Sequence, residues 1–141
     1  MDNEENCTVS RSLVNLSLAN NVLTGSLPEC LQNQLWDNFD VSYNSITGSF
    51  TNFSGSRENG SISMKINRLS GVIPDSLRYA SNVDILEGNL FACSYNTKPQ
   101  NDPYVQEYEC GSNYTNISLY TWIIVSVCGL LCLMFLIRTG W

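Results

Sequence analysis

A serine or cysteine nucleophile in this chain would find no imidazole to take its proton, because none of the 141 residues is histidine. The sequence also lacks a phosphate-cradling G-x-x-x-x-G-K stretch, an H-E-x-x-H pair and a kinase loop set. No C-x-x-C pair is present, so no metal site is expected. The reading is therefore of a protein that is not an enzyme and takes no cofactor. Against catalysis, Asp37, Asp40, Asp84 and Glu87 read as solvated positions. What remains is the chemistry of thiols and amides.

Six cysteines fall into two sets: Cys7, Cys30, Cys93 and Cys110 in polar sequence, Cys128 and Cys132 in an apolar stretch. The polar set lies among Asn-x-Ser/Thr sequons, which points to an oxidising, secretory compartment. The sequons are at Asn6, Asn15, Asn52, Asn59 and Asn113, with another at Asn116 beside the apolar stretch. All precede that stretch, so this part is expected to be extracellular and glycosylated at the first five.

The elements that position these residues follow from a ladder. Ser12–Leu31 reads SLVNLSLANNVLTGSLPECL and fits LxxLxLxxNxLxGxIPxxL with Leu13, Leu16, Leu18, Asn21, Leu23, Gly25, Leu27, Pro28 and Leu31. It returns 23 residues later as Trp36, Phe39, Val41, Asn44, Ile46, Gly48 and Phe50. A third pass holds Ile62, Met64, Asn67, Leu69, Gly71, Ile73, Pro74 and Leu77, and a weaker one Leu86 and Asn89. This period and these offsets resemble the leucine-rich repeat. The fold class expected is an α/β solenoid with parallel strands about 4.8 Å apart.

Within each coil the L-x-L alternation predicts a short strand with its apolar side chains inward. Asn21, Asn44 and Asn67 follow at one offset, where an amide can donate and accept, so a hydrogen-bonded file is expected. Gly25, Gly48 and Gly71 permit positive φ or close approach, and Pro28 and Pro74 end the pairing. L-x-G-x-I/L-P, carried by Leu23–Pro28 and Leu69–Pro74, resembles the plant-type repeats of receptor-like proteins and receptor-like kinases. That resemblance implies a second short strand per coil and a right-handed superhelix. The middle coil departs from it: Thr51 replaces the proline, Ser54 a leucine, and Asn59 a ladder leucine. The polar flank 51–61 is expected to pack loosely.

Stacking has two consequences for the cysteines. Cys7 precedes Cys30 by one period, 23 residues, so the two occupy equivalent places on successive coils and fit a disulfide. In the other reading Cys30 is a small, half-buried surface residue. GNLFAC…YECGS looks like the segment that closes such solenoids, with a Cys93–Cys110 disulfide closing a loop of about sixteen residues, worth roughly 3 kcal/mol.

Recognition in this architecture belongs to the concave face, formed by the x positions around each strand. By register these are Val14, Asn15, Ser17, Ala19 and Asn20, then Asp37, Asn38, Asp40, Ser42 and Tyr43, then Gly60, Ser61, Ser63, Lys65 and Ile66. Asp37, Asp40, Tyr43 and Lys65 are the expected contacts, a composition suited to a peptide or protein loop. Net charge is −6, with 13 acidic and 7 basic residues, which argues against nucleic acid as a partner.

Leu119–Ile137 carries no charge; nineteen helical residues cover about 28 Å, near a bilayer core of ~30 Å. Aromatics at both edges and Arg138 beyond one edge fit a transmembrane helix with a cytoplasmic C-terminus. A buried core helix and a cleaved lipid-anchor signal at Gly111–Asn113 are the other readings. The chain divides as 1–12 (incomplete first repeat or flank), 13–92 (repeats), 93–118 (cap and juxtamembrane segment), 119–137 (transmembrane helix) and 138–141 (cytoplasmic stub). The start MDNEENCTVS is acidic and polar, so the C-terminal piece of a longer receptor is expected, with a signal-anchor role for the helix as the other resolution. The functional expectation is a single-pass plasma-membrane receptor-like protein. It would bind an extracellular peptide or protein and signal through a membrane co-receptor. A receptor kinase lacking its kinase domain and a cell-surface adhesion protein are the alternatives.

Overall fold

The computed structural model describes residues 7–111 and 117–138. The chain coils, and each coil contributes one strand to each of two parallel sheets. The strands are β1 (Asn15–Ser17), β2 (Thr24–Ser26), β3 (Trp36–Asp40), β4 (Ser45–Ser49), β5 (Ser56–Ser63), β6 (Arg68–Val72), β7 (Asn82–Asp84) and β8 (Leu90–Ala92). The first sheet runs β1-β3-β5-β7 and the second β2-β4-β6-β8. Together they form a repeat α/β fold, and the second strand of each coil is the one the L-x-G-x-I/L-P resemblance implies.

Register in the first sheet follows the sequence period. Leu16 pairs with Phe39, Phe39 with Ile62 and Ile62 with Val83. These side chains, with Val41, Met64, Ile46 and Leu69 from neighbouring ladder positions, form one apolar core. In the second sheet Gly25 faces Ile46 and Gly48 faces Leu69. The offset there is 21 residues, and 20 between β6 and β8, whereas the first sheet keeps 23 at Leu16–Phe39 and Phe39–Ile62 and falls to 21 only at Ile62–Val83.

The asparagine file is present and does two jobs. Asn67 donates from Nδ2 to its own coil at Met64 O (3.1 Å) and to the preceding coil at Val41 O (3.0 Å). Its Oδ1 accepts the Ile46 N–H of that preceding coil (3.0 Å). Asn44 repeats this with Leu18 O and the Leu23 N–H, and Asn89 with Met64 O and the Leu69 N–H. Each amide thus satisfies backbone groups that turn inward, and around buried Asn67 and Asn89 these would otherwise be unpaired in a dry interior. Asn21 is exposed and bonds only within its own coil, to Leu18 O and Ala19 O.

The prolines do more than end a strand. Pro28 and Pro74 are the N-caps of one-turn helices, α1 (Glu29–Gln32) and α2 (Asp75–Arg78). Their fixed φ starts the helical turn, and the missing N–H loses nothing there. The middle coil, with Thr51 in place of proline, has no such helix.

The flank expected to pack loosely does not. Phe53 is fully buried, edge-on to Phe39 and Phe50. It stands one residue before Ser54 and supplies the apolar volume that serine lacks. β5 then starts early, with Trp36 opposite Ser56 but Asn38 opposite Ser61, so residues 57–60 bulge. Asn59 sits exposed in this bulge with φ 62°. Gly60, read above as a face residue, is buried instead: a Cβ there would lie 2.8 Å from the backbone oxygens of both Trp36 and Asp37.

Both cysteine pairs of the polar part are disulfides. Cys7–Cys30 and Cys93–Cys110 have Cα separations of 5.7 Å and 5.0 Å. The second closes a cap that imitates a further coil. Buried Asp102 accepts the Ile85 and Leu86 N–H groups (2.7 and 3.1 Å). Tyr108 Oη accepts the Phe91 N–H (2.6 Å) and donates to Asn89 O (3.0 Å). A carboxylate and a phenol thus take the donors that a next asparagine and strand would take.

The apolar C-terminal stretch is a helix, α3 (Ile117–Arg138). The described side chains from Thr121 to Phe135 are exposed. Counted over the described residues, no helix is long and apolar enough to cross a membrane. The expected transmembrane helix is therefore met here only as a helix. Asn6 and Asn113, with their sequons, lie outside the described residues.

Candidate ligand-binding face

Strand alternation sends every second side chain of the first sheet outward. Register then lines up equivalent outward residues from coil to coil. One file is Asn15, Asn38, Ser61 and Asn82; the next is Ser17, Asp40, Ser63 and Asp84. The first three members of the first file are bonded side chain to side chain: Asn38 Nδ2 donates to Asn15 Oδ1 (2.7 Å) and Ser61 Oγ to Asn38 Oδ1 (2.9 Å), while Asn82 Nδ2 donates to Gly60 O (3.4 Å). Asn15, a sequon asparagine, is thus part of the face, whereas Asn52 is exposed away from the strands.

The four expected contact residues all lie on or beside this face, and the side chains of Asp37, Asp40 and Lys65 already have partners. Asp37 pairs with Arg57, which the bulge brings to 3.5 Å. Asp40 Oδ1 accepts the Ser42 N–H (2.9 Å) and hydroxyl (2.6 Å), which fixes the carboxylate as the strand ends. Tyr43 is 46% exposed, and its N–H donates to Lys65 O (3.0 Å), so the two side chains belong to adjoining coils.

Lys65 is less available than its sequence position implied. Its Nζ lies 2.7 Å from Asp84 Oδ2 and 4.0 Å from Glu87 Oε2. The hydrogen bond with Asp84 raises the Lys65 pKa above 10.5, against the opposing effect of burial, so the amine stays charged. Asp84 and Glu87 were not read as face residues. The signal was Asp84's place one short period after Ser63, but the last coil is a residue or two shorter and its ladder is weak.

The same comparison exposes a backbone conformation that sequence reading missed. Asn20, Tyr43 and Ile66 share a left-handed backbone (φ 57°, 54° and 52°), and Gly88 takes that place in the last coil (φ 71°). The chain reverses there to leave the first sheet, which carries Tyr43 outward. Asn and Gly tolerate this region; a β-branched isoleucine does so at a cost.

Toward the cap the face deepens into a hollow of about 270 Å³, lined by Ser61, Ser63, Asn82, Asp84, Asn101 and Pro103 among others. Hydroxyls, amides and one carboxylate converge on it. The whole arrangement can grip polar backbone and place an aromatic contact.

A leucine-rich repeat family model matches residues 12–34, the first full coil. No curated protein and no solved structure matches the chain. The chain thus carries a detected leucine-rich repeat, a unit associated with protein–protein interaction.

Proposed function

We propose that the outward face of the first sheet is a concave recognition surface for an extracellular peptide or protein. The protein, in this reading, is a single-pass receptor-like protein of the plasma membrane that signals through a membrane co-receptor and has no enzymatic activity of its own. The observation that carries it is the pair of polar files across four parallel strands, flanked by exposed Tyr43. An aromatic beside fixed hydrogen-bonding groups is the composition of a binding hot spot, not of a solvated strand face. The right-handed solenoid of plant-type receptor ectodomains is the geometry that makes such a face concave.

Anchoring rests on the uncharged run Leu119–Ile137 within α3, whose described apolar side chains are exposed. A bilayer would cover them. Asn52 lies outside the strands of the face, while a glycan at Asn15 would obstruct it.

The test displays the full chain in lipid nanodiscs and selects binders from a random peptide library. Selected peptides should lose at least about tenfold affinity on Tyr43→Ala and on Asp40→Ala, the range of a hot-spot truncation. Tyr79→Ala, on the helix-bearing flank, should leave binding unchanged. Peptides indifferent to both face substitutions would refute the assignment. Alkaline extraction tests the anchor: the chain should stay with the membrane pellet, and release into the supernatant counts against it.

A further inference from the structure

Asn59 and Gly60 form the chain's one Asn-Gly pair. In such a pair the backbone nitrogen of the glycine stands beside the asparagine carboxamide with no Cβ to shield it. The pair lies in the stretch 57–60, where the register passes from Trp36 opposite Ser56 to Asn38 opposite Ser61 and leaves the residues between without a ladder partner. Asn59 is exposed and left-handed (φ 62°), and among the described residues no hydrogen bond holds its side-chain amide. Asn44 also precedes a small residue, Ser45, yet its amide is tied down. Its Nδ2 donates to Leu18 O, Val41 O and Ser42 O, and its Oδ1 accepts the Leu23 N–H.

The glycine cannot be exchanged for a shielding residue. A Cβ at Gly60 would lie 2.8 Å from Trp36 O and from Asp37 O, and 2.9 Å from Ser56 Cβ. Packing therefore demands glycine at the one position that leaves the preceding amide open to attack. The bulge also leads straight into the outward face. Gly60 O accepts from Asn82 Nδ2 (3.4 Å), and Ser61 Oγ donates to Asn38 Oδ1 (2.9 Å).

We propose that Asn59 is a self-modification site, at which the folded chain converts its own asparagine to isoaspartate and aspartate, and that the isoaspartate form loosens β5. The Gly60 nitrogen gives its proton to solvent and attacks Asn59 Cγ. A bond forms between these two atoms, the Cγ–Nδ2 bond breaks, and Nδ2 leaves as ammonia with a proton from solvent. Water then opens the cyclic imide. Addition at Cγ restores the ordinary peptide bond and leaves aspartate. Addition at the backbone carbonyl leaves isoaspartate, whose main chain runs through Cβ and Cγ. The net change is water in and ammonia out, with nothing oxidised or reduced. The longer main chain pulls Gly60 from its slot between Trp36 O and Asp37 O, and the new carboxylate stands next to Glu58 in the chain. A glycan on Asn59, expected from its sequon, occupies the same nitrogen and opposes the step. This chemistry holds whatever the face binds.

The test uses the full chain from a host that adds no glycans, held in nanodiscs in neutral buffer made with heavy-oxygen water. After return to ordinary water, trypsin cuts behind Arg57 and Lys65 and frees residues 58–65 for mass spectrometry. Residue 59 should appear as isoaspartate and aspartate carrying solvent oxygen, with Asn44 unchanged. The folded chain should convert within about tenfold of the rate of the urea-unfolded chain, because a site already open needs no unfolding to react. Conversion in urea alone, or aspartate with no isoaspartate, overturns the proposal. Asn59→Gln should abolish the labelling, and labelling that survives it also overturns the assignment. Molecules carrying isoaspartate should lose hydrogen-exchange protection at residues 61–63 relative to unconverted ones; equal protection would contradict the loosening of β5.

Discussion

Asn67 and Asn21 have the same residue type at the same ladder position and should behave differently on substitution. Asn67 is buried and ties two coils together, so Asn67→Ala strands a buried N–H and carbonyls on both. A loss of about 2–4 kcal/mol is expected from such unpaired groups. Asn21 is exposed and bonds within its own coil, so Asn21→Ala should cost under about 1 kcal/mol. Urea unfolding midpoints of the two variants decide this; equal losses would mean the file does not join the coils. Gly88→Ala should also destabilise, by about 1–3 kcal/mol, because φ is +71° and the new Cβ would lie 2.9 Å from Ile66 Cα. The asparagine file was legible in the sequence because a spacing of 23 is visible in letters. The left-handed place at Asn20, Tyr43, Ile66 and Gly88 was not, because four unrelated residue types hide one backbone conformation.

At the scale of the element, the cap carries a titratable group with a defined sign. Burial raises the Asp102 pKa above 3.8, although the N–H groups of Ile85, Tyr104 and Leu86 pull it down. A raised carboxylate holds its proton more tightly in the folded state than in the unfolded one. Its contribution is therefore fully present below about 3.8 and is lost as pH rises through the folded pKa. The stability of the wild type relative to Asp102→Asn should rise as pH falls from neutral to below 3.8. Thermal melts across that range measure it, and a difference that shrinks on acidification would contradict the sign. Reduction of the cap is a separate probe. Cys93→Ser with Cys110→Ser should cost about 3 kcal/mol by freeing the loop, and should speed exchange in β8 before β3. The cap's location was legible from its cysteines. Asp102 and Tyr108 as stand-ins for a coil were not, since their reach to Ile85 and Phe91 depends on the path of an irregular loop. Phe53 is similar: one position out of step, it fills the core that Ser54 leaves empty.

At the scale of the molecule, the division of labour is between two faces of one sheet. Inward side chains hold the coils together, and in the proposed function the outward ones recognise a partner. The period made the inward set readable almost residue by residue. The outward set was readable as positions but not as partners: Lys65 is held by Asp84 and Glu87, and Asp37 by Arg57, through side chains far apart in sequence. In the proposed function, recognition therefore falls mainly on Tyr43, Asp40 and the two polar files. The most direct measurement is hydrogen–deuterium exchange on the full chain in nanodiscs, with and without a peptide selected against it. Slowing confined to residues 37–43 and 61–65 and to β7 is the expected result. Slowing confined to β2, β4, β6 and β8, or to the cap, would contradict a binding role for this face.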